Sequence, residues 1–337
     1  MKNLSILDKL LFFVNSILAA VLLISFLSYY ISPQTISIIS IISLIVPYLI
    51  MANALFVVYW LLKFKRAFLI SLLILLLGYQ YITKLYGFEE KKVLLNNDIK
   101  VMSYNVRMFN VYNWIEEQNV DKKIYDFITQ KNPDILCIQE YHPSKSNNLN
   151  YPYSYVKLSK KNNHFGHAIF SKYKIINKGA LNFTNSANNA IFADIVVKND
   201  TLRVYNVHLE SLKINPKTAP INQKNSERLK TRLENSFKKQ VDQANQIIAH
   251  QQKTNLKTII MGDFNNTAFS WVYNHLKTNK NDAFEIAGKG FGTTYDFALP
   301  LRIDFILTDK KITVNNFKTF DVSYSDHFPV MARVNFK

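Results

Sequence analysis

Charge is missing from most of the first quarter of this 337-residue sequence. No Asp, Glu, Lys, Arg or His occurs between Leu10 and Leu62, a run of 53 residues, and a second charge-free run covers Ala67 to Thr83. A protein that is soluble throughout does not carry such runs. Cysteine is scarce too: the lone Cys137 excludes an internal disulfide framework and a multi-cysteine zinc site. Only 8 glycines exclude a collagen-like repeat, and 14% aromatics exclude a disordered chain. Acidic residues are in deficit, 24 against 41 Lys and Arg, for a net charge of +17. Residues up to Lys92 carry +5 and the remainder +12, so the polar part is basic by itself. That balance serves solubility and also favours acidic partners: phosphates, nucleic acid or anionic lipid headgroups.

A helix rises about 1.5 Å per residue, so about 20 apolar residues cross a hydrocarbon core of roughly 30 Å. Ser32-Pro33-Gln34-Thr35 interrupts the longer run. Three transmembrane helices are therefore expected, at about 10–30, 36–62 and 67–86, with Pro47 kinking the second. Tyr29, Tyr30, Tyr59, Trp60, Tyr79, Tyr81 and Tyr86 stand near the expected ends, as an interfacial belt would. A cleaved signal peptide is the weaker reading, because the apolar stretch is too long and the next helix follows almost at once. The cluster Lys63-Phe64-Lys65-Arg66, with Lys2 and Lys9, places the N-terminus and second loop in the cytoplasm. Three crossings then leave everything after Tyr86 outside it. The expectation is a multi-pass anchor over residues 1–92, in a bacterial inner membrane, and an extracytoplasmic domain over 93–337.

From about Asp98 the chain alternates strand-like and helix-like stretches, which suggests two packed sheets flanked by helices. Val120 to Thr129 reads as a helix. A longer one starts near Ser226, with Leu229, Leu233, Phe237, Val241, Ala244 and Ile248 on one face. Basic residues fill its other faces; a solvated helix packed on a sheet is the simplest reading. Lys213 to Gln223, with Pro216 and Pro220, reads as a loop.

Four short strings put polar, metal-competent residues at strand ends: Ser103-Tyr104-Asn105-Val106-Arg107, Ile138-Gln139-Glu140, Met261-Gly262-Asp263-Phe264-Asn265 and Ser325-Asp326-His327-Phe328-Pro329. Two more support them, Asn206-Val207-His208-Leu209-Glu210-Ser211 and Arg302-Ile303-Asp304-Phe305-Ile306. Each alone is a weak signal, since a strand-end Asn or Asp is usually a cap or turn former. The ordered set of six is far more specific. It resembles the endonuclease/exonuclease/phosphatase superfamily over about Lys100 to Lys337, most specifically in Gly262-Asp263-Phe264-Asn265 and Ser325-Asp326-His327.

The resemblance implies a four-layered α/β sandwich, two central and mainly antiparallel sheets flanked by helices, and hydrolysis of phosphate esters with a divalent metal, usually Mg²⁺, with Mn²⁺ or another divalent cation as the alternative. It implies Glu140 as the main metal ligand, with Asn105 and Asp326 near the metal. It implies His327 as the catalytic histidine, oriented by Asp304. Asp263 would orient or deprotonate the attacking water, Asn265 would bond phosphate oxygens, and His208 would lie against the phosphate. The chemistry suits these residue types, because a hard cation held by oxygen ligands neutralises an anionic ester that repels hydroxide. Gly166-His167-Ala168-Ile169-Phe170-Ser171 fits the family's strand loosely, with His167 an unusual occupant that reads as a packed strand residue. Arg107 is either a phosphate contact or a surface arginine.

The expected function is that of a membrane-anchored, metal-dependent phosphodiesterase acting on an extracytoplasmic phosphodiester, such as nucleic acid or a lipid headgroup. The expected partners are the phosphate-ester substrate and the lipid bilayer, with no obligate protein partner evident. The alternative is a non-catalytic, membrane-bound module that uses the same fold to bind an acidic partner.

Overall fold

The computed structural model describes residues 5–143, 149–159, 165–213, 223–296 and 301–336. Its first part is helical: α1 (Ile6–Ser25), prolonged by a 3-10 turn (Phe26–Tyr29), α2 (Ser37–Ile42), α3 (Val46–Leu62), α4 (Phe68–Leu77) and α5 (Tyr79–Leu85). Ser5 caps α1, its hydroxyl accepting from the Asp8 N–H at 3.1 Å. α1, α3 and α4 lie against one another, and side chains such as Ile6, Phe13, Leu55, Leu73 and Leu77 point outward, exposed.

Two of the three expected helices are not continuous. The second stops at Ile42, and α3 starts at Val46 with Pro47 in its first turn. Proline has no N–H and crowds the carbonyl four residues back, so the helix restarts there rather than kinking. The carbonyl concerned is that of Ser43, which accepts from Thr267 Oγ1 at 2.9 Å. The third expected helix bends by 78° between α4 and α5. The bend falls at Gly78, where a Cβ would lie 2.3 Å from the Phe26 ring. Among the described residues one helix, Ile6–Tyr29, is long and apolar enough to cross a membrane, not three. α3 has 17 residues, and α4 with α5 reaches that length only across the bend.

The remainder forms two six-stranded sheets. The first takes the order β11-β12-β1-β2-β4-β3, from β1 (Ile99–Asn105), β2 (Ile135–Tyr141), β3 (Tyr153–Leu158), β4 (Gly166–Ser171), β11 (Ile312–Thr319) and β12 (Val330–Phe336). The second takes the order β5-β6-β7-β8-β10-β9, from β5 (Ile175–Ala180), β6 (Ala190–Val197), β7 (Asp200–His208), β8 (Lys257–Asp263), β9 (Lys280–Asp282) and β10 (Asp304–Asp309). Each is mixed: β1 with β2 and β7 with β8 are parallel, the other pairs antiparallel. Val101, Ile135, Cys137 and Ile169 of the first sheet meet Ile191, Ala193, Ile259 and Met261 of the second in a shared apolar layer.

Helices cover the outer faces. α6 (Val120–Lys131) buries Ile124 and Ile128 against Met102, Leu136 and Ile138. α7 (Gln223–Gln251) buries Val241, Ala244 and Ile247 against Tyr205, Val207 and Ile260, followed by α8 (Trp271–Lys277) and α9 (Ala283–Ala287). The expected loop before α7 lies, but for its ends, outside the described residues.

The helical part sits on this second sheet's outer layer. Ala19, Leu22, Leu49, Ile50 and Tyr81 belong to the same apolar core as Phe269, Val272 and Tyr273. Ser28 Oγ donates to the Phe269 carbonyl at 3.0 Å, and Asn274 Nδ2 to the Tyr29 carbonyl at 2.9 Å. The contacts come from one end of the helices, opposite the Lys63–Arg66 turn. At that far end Asp8 accepts from the Tyr59 hydroxyl at 2.8 Å and lies 3.6 Å from Lys63.

Candidate active site

All six sequence strings arrive at one rim of the paired sheets. Asn105 ends β1 beside Gln139, in register. His208 and Asp304 both stand opposite Asp263 in the second sheet. β7 and β8 approach closely because Gly262 lacks a side chain: a Cβ there would fall 1.9 Å from the Val207 carbonyl oxygen, and its φ is +147°. Glu140 occupies a bulge, unpaired between Gln139, which faces His167, and Tyr141, which faces Gly166. Its left-handed backbone, φ 51°, is a conformation a non-glycine residue adopts at some strain, and bulges of this kind re-aim a side chain.

The centre is Asp263, nearly fully buried. Its Oδ2 accepts from Asn105 Nδ2 at 3.1 Å, linking the two sheets, and lies 3.4 Å from His208 Nε2 and 3.6 Å from His327 Nε2. Its Oδ1 accepts from the Asn265 N–H at 2.7 Å. His327 Nδ1 lies 2.9 Å from Asp304 Oδ2, the pairing expected from sequence. Thr294 Oγ1 accepts from the Ile303 and Asp304 N–H groups at 2.9 and 3.0 Å, fixing where β10 begins. The Tyr295 ring lies 4.9 Å from that of His327.

Electrostatics separate the roles. Burial alone would push the His327 imidazolium down, but the charges of Asp304 and Asp263 outweigh it and hold the group up at about 10. His327 is therefore a cation at neutral pH. Burial, reinforced by Asp304 and opposed by His327, raises Asp263 to about 7. His208 is driven the other way, well below its ordinary value, by burial and by His167 and His327, so it is neutral. One site thus holds a cationic and a neutral imidazole beside a carboxyl poised near neutrality, the spread that acid–base chemistry needs.

On the other side, burial and the neighbouring charge of Asp326 raise Glu140, while His327, a hydrogen bond from Asn105 and Arg107 oppose the rise. Two carboxylates crowding one partly buried spot are what a hard divalent cation relieves, and all the donors are oxygen. The residues therefore fit a hard divalent cation. The tightest group of metal-competent atoms among the described residues is a different one: Asp263, Asp304 and His327, within 4.8 Å of one another. Because its imidazole already bridges the two carboxylates, it reads as a charge-paired triad.

Two expected residues are differently engaged. Asn105 spends its amide on Asp263 and on the Arg107 N–H, at 3.1 Å each. Asn265 donates to the Leu209 carbonyl at 3.0 Å and to Asp263 at 3.3 Å, so it braces the Asp263 turn in this state. Arg107 is a site residue: its Nη1 lies 3.3 Å from Asp326 Oδ2, and its guanidinium stacks 4.6 Å over Trp114. His167 is buried, as a packed strand histidine should be, yet its ring is 5.9 Å from that of His208.

Sequence reasoning assigned no role to Gln139 and Asn206, which form a second inter-sheet link. Gln139 Nε2 donates to Asn206 Oδ1 at 2.7 Å, and Asn206 Nδ2 to the Ile138 and Ala168 carbonyls at 2.8 and 2.9 Å. A polar residue at an interior strand position was the available signal. Nothing local marked Thr294 or Tyr295.

Residues 102–327 match the model of the Endonuclease/Exonuclease/phosphatase family, and residues 8–85 match a separate model described as a domain of unknown function. None of the curated proteins matches the chain. Solved structures share the fold. A humanized TDP2 of D. rerio is 18% identical, with a TM-score of 0.53, over 71% of this chain and 100% of that one. A mannosyl-6-phosphatase of Bacteroides thetaiotaomicron is 17% identical, at 0.54, over 71% and 100%. The human Nocturnin catalytic domain, with bound sulfate, is 18% identical, at 0.53, over 73% and 97%.

Proposed function

The chain belongs to the endonuclease/exonuclease/phosphatase family and is a phosphoric ester hydrolase; from that premise we propose that it is a membrane-anchored phosphodiesterase, dependent on Mg²⁺ or Mn²⁺, that cleaves a nucleic-acid or lipid-headgroup phosphodiester outside the cytoplasm. The observation that carries this reading is the convergence of Glu140, Asp326, Asp263, Asp304, His208 and His327 from both sheets on one rim. Glu140 and Asp326, with Asn105 beside them, are the residues that would hold the metal. A bound divalent cation supplies neutralisation of the phosphate charge.

The chain's own residues supply the rest. Asp263 near neutrality accepts the proton of an attacking water, with Asn105 and Asn265 fixing its carboxylate. The His327 cation, held by Asp304, donates a hydrogen bond to a phosphate oxygen. Neutral His208 offers a second donor beside it.

The anchor reading rests on the ends of the helices. α1, prolonged to Tyr29, is the described helix long and apolar enough to span the bilayer, and α3 packs beside it. α3 runs from the Ser43 turn on the sheet unit back to Lys63, beside Asp8 at the start of α1. α4 then returns toward the sheet unit. Residues 1–92 form the anchor and 93–337 the catalytic domain, with Lys63–Arg66 facing the cytoplasm.

The test is turnover of a generic aryl phosphodiester by the full chain, with Mg²⁺ and with chelator, and Glu140→Ala as the blank. Metal-dependent release absent from the blank is expected; equal release with chelator would refute the metal dependence. A reporter fused after Lys337 should be active only outside the cytoplasm. A cytoplasm-only signal from an inserted fusion would reverse the orientation.

A further inference from the structure

We propose that the groove along the first half of α7 binds the anionic headgroup of a lipid in the bilayer that holds the helical unit. This rests on the membrane anchoring proposed above. The groove, about 570 Å³, is lined among others by the cations Lys213, Arg228, Arg232 and Lys239, which outnumber its carboxylates Glu210 and Glu227.

Position is the first argument. α7 is amphipathic: Leu233 and Phe237 are buried with Leu212, against Ile41 of α2 and Leu44. Gln34 Nε2 donates to Asp242 on α7 at 2.7 Å. One turn of the apolar bundle, at Ser43, is pinned by Thr267. The first half of α7 therefore lies against the segment where the apolar helices end and the polar domain begins. At a bilayer that is the level of the headgroups.

Charge is the second. Arg228 and Arg232 lie one helical turn apart, both exposed, and neither has a carboxylate partner among the described residues. Lys239 differs, being paired with Glu210 at 3.0 Å. A guanidinium fork matches the oxygens of a phosphate. Lys230, equally exposed on the same helix, does not line this groove. Arg228 and Arg232 instead line a concavity.

The consequence concerns the site. The groove reaches Glu210, two residues past His208, and two residues span at most about 7 Å. Likewise Thr267, which holds Ser43, is two residues past Asn265. A lipid in the groove brings the bilayer surface to the mouth of the catalytic rim. That favours a substrate presented by the membrane over one arriving from solution.

The experiment uses the full chain in phosphatidylcholine nanodiscs and reads binding of a fluorescent phosphatidylglycerol. Basic side chains at an anionic surface contribute roughly fivefold each. The Arg228→Glu, Arg232→Glu double variant should therefore weaken binding roughly 20-fold or more, and Lys230→Glu should leave it nearly unchanged. Turnover of a soluble aryl phosphodiester should be the same in all three proteins, which shows that the fold and site are intact. Unchanged lipid binding by the double variant overturns the proposal, as does an equal loss from Lys230→Glu. Loss of binding to a single-stranded oligonucleotide, with lipid binding kept, would reassign the groove to nucleic acid and also overturn it. A wild-type chain that binds the lipid but turns over no phosphodiester leaves this site standing and refutes the phosphodiesterase reading alone.

Discussion

In the helical unit, Ser71 on α4 shares its hydroxyl between Asn15 Oδ1 on α1, at 2.6 Å, and Asn53 Oδ1 on α3, at 2.8 Å. In the sheet unit, His327 lies between Asp304, at 2.9 Å, and Asp263, at 3.6 Å. Both clusters are buried, and both join elements distant in sequence. The first is neutral and asks little of its surroundings, so it can sit among leucines and fix which helix faces meet. The second is charged, and each member is tolerable only because of the others. A buried neutral cluster specifies packing. A buried charged cluster at the open ends of strands stores protonation states that chemistry can use.

The largest expected effect is on the charged cluster. A preorganised donor to charge that develops in the transition state contributes about 10²–10³-fold in rate. His327→Ala should lose at least that much turnover, and Asp304→Asn somewhat less. The double variant should be little worse than His327→Ala, because residues acting as one unit are not additive. Multiplicative losses in the two singles and the double would show that Asp304 and His327 act separately.

Next is Glu140→Gln. Partners one layer removed from a metal typically change its affinity about 10–100-fold, and a direct ligand should do at least as much. The variant should need at least about tenfold more Mg²⁺ for half-maximal turnover. A titration matching the wild type would remove Glu140 from the metal site. Thermal stability should hold or rise, because a carboxylate crowded by Asp326 has been neutralised.

The pH response distinguishes the clusters as well. The folded-state pKa of His327 is raised to about 10 from an ordinary 6.5. Its contribution to stability is therefore fully present below about 6.5 and lost as pH rises through about 10. Asp304→Asn removes a large part of the elevation, so the loss should begin at lower pH in that variant. Urea midpoints followed from neutral to alkaline pH would show it. Superimposed curves for the two proteins would mean that Asp304 does not hold the His327 proton.

The site was more legible in sequence than the packing, for a physical reason. A strand end bearing Asp, Asn or His is a local pattern, and six in order carried the family resemblance that implied how they meet. Sheet pairing then put Asp304 and His208 opposite Asp263. Hydropathy carried less. It shows that residues 36–62 are apolar, but not that the Ser43 carbonyl freed by Pro47 meets Thr267 far along the chain. Nor does it show that Phe26 fills the space at Gly78 and that the chain bends there. It cannot say whether an apolar face meets lipid or Phe269. The bulge that takes Glu140 out of the strand register was equally hidden, since it depends on how β4 pairs with β2.

The smallest effect belongs to the neutral cluster, and it is the sharpest check on the contrast. Ser71→Ala removes the hydroxyl from between Asn15 and Asn53 and leaves two buried amide oxygens facing each other. Asn53 keeps the bond from its Nδ2 to the Leu49 carbonyl at 2.9 Å, whereas Asn15 Nδ2 already has no partner among the described residues. Hydrogen bonds between apolar helices are worth about 0.6 kcal/mol on average, and an unsatisfied buried group costs about 1–3 kcal/mol. The variant should therefore lose about 1–2 kcal/mol of stability. Replacing all three residues with apolar ones of similar shape (Asn15→Leu, Asn53→Leu, Ser71→Ala) removes every polar group at once and should recover most of that loss. Turnover of a soluble phosphodiester should stay at the wild-type rate in both proteins, because the cluster touches nothing at the catalytic rim. Thermal unfolding in detergent, with turnover measured on the same samples, decides it. A triple variant less stable than Ser71→Ala would mean that the neutral cluster, like the charged one, is held for more than packing.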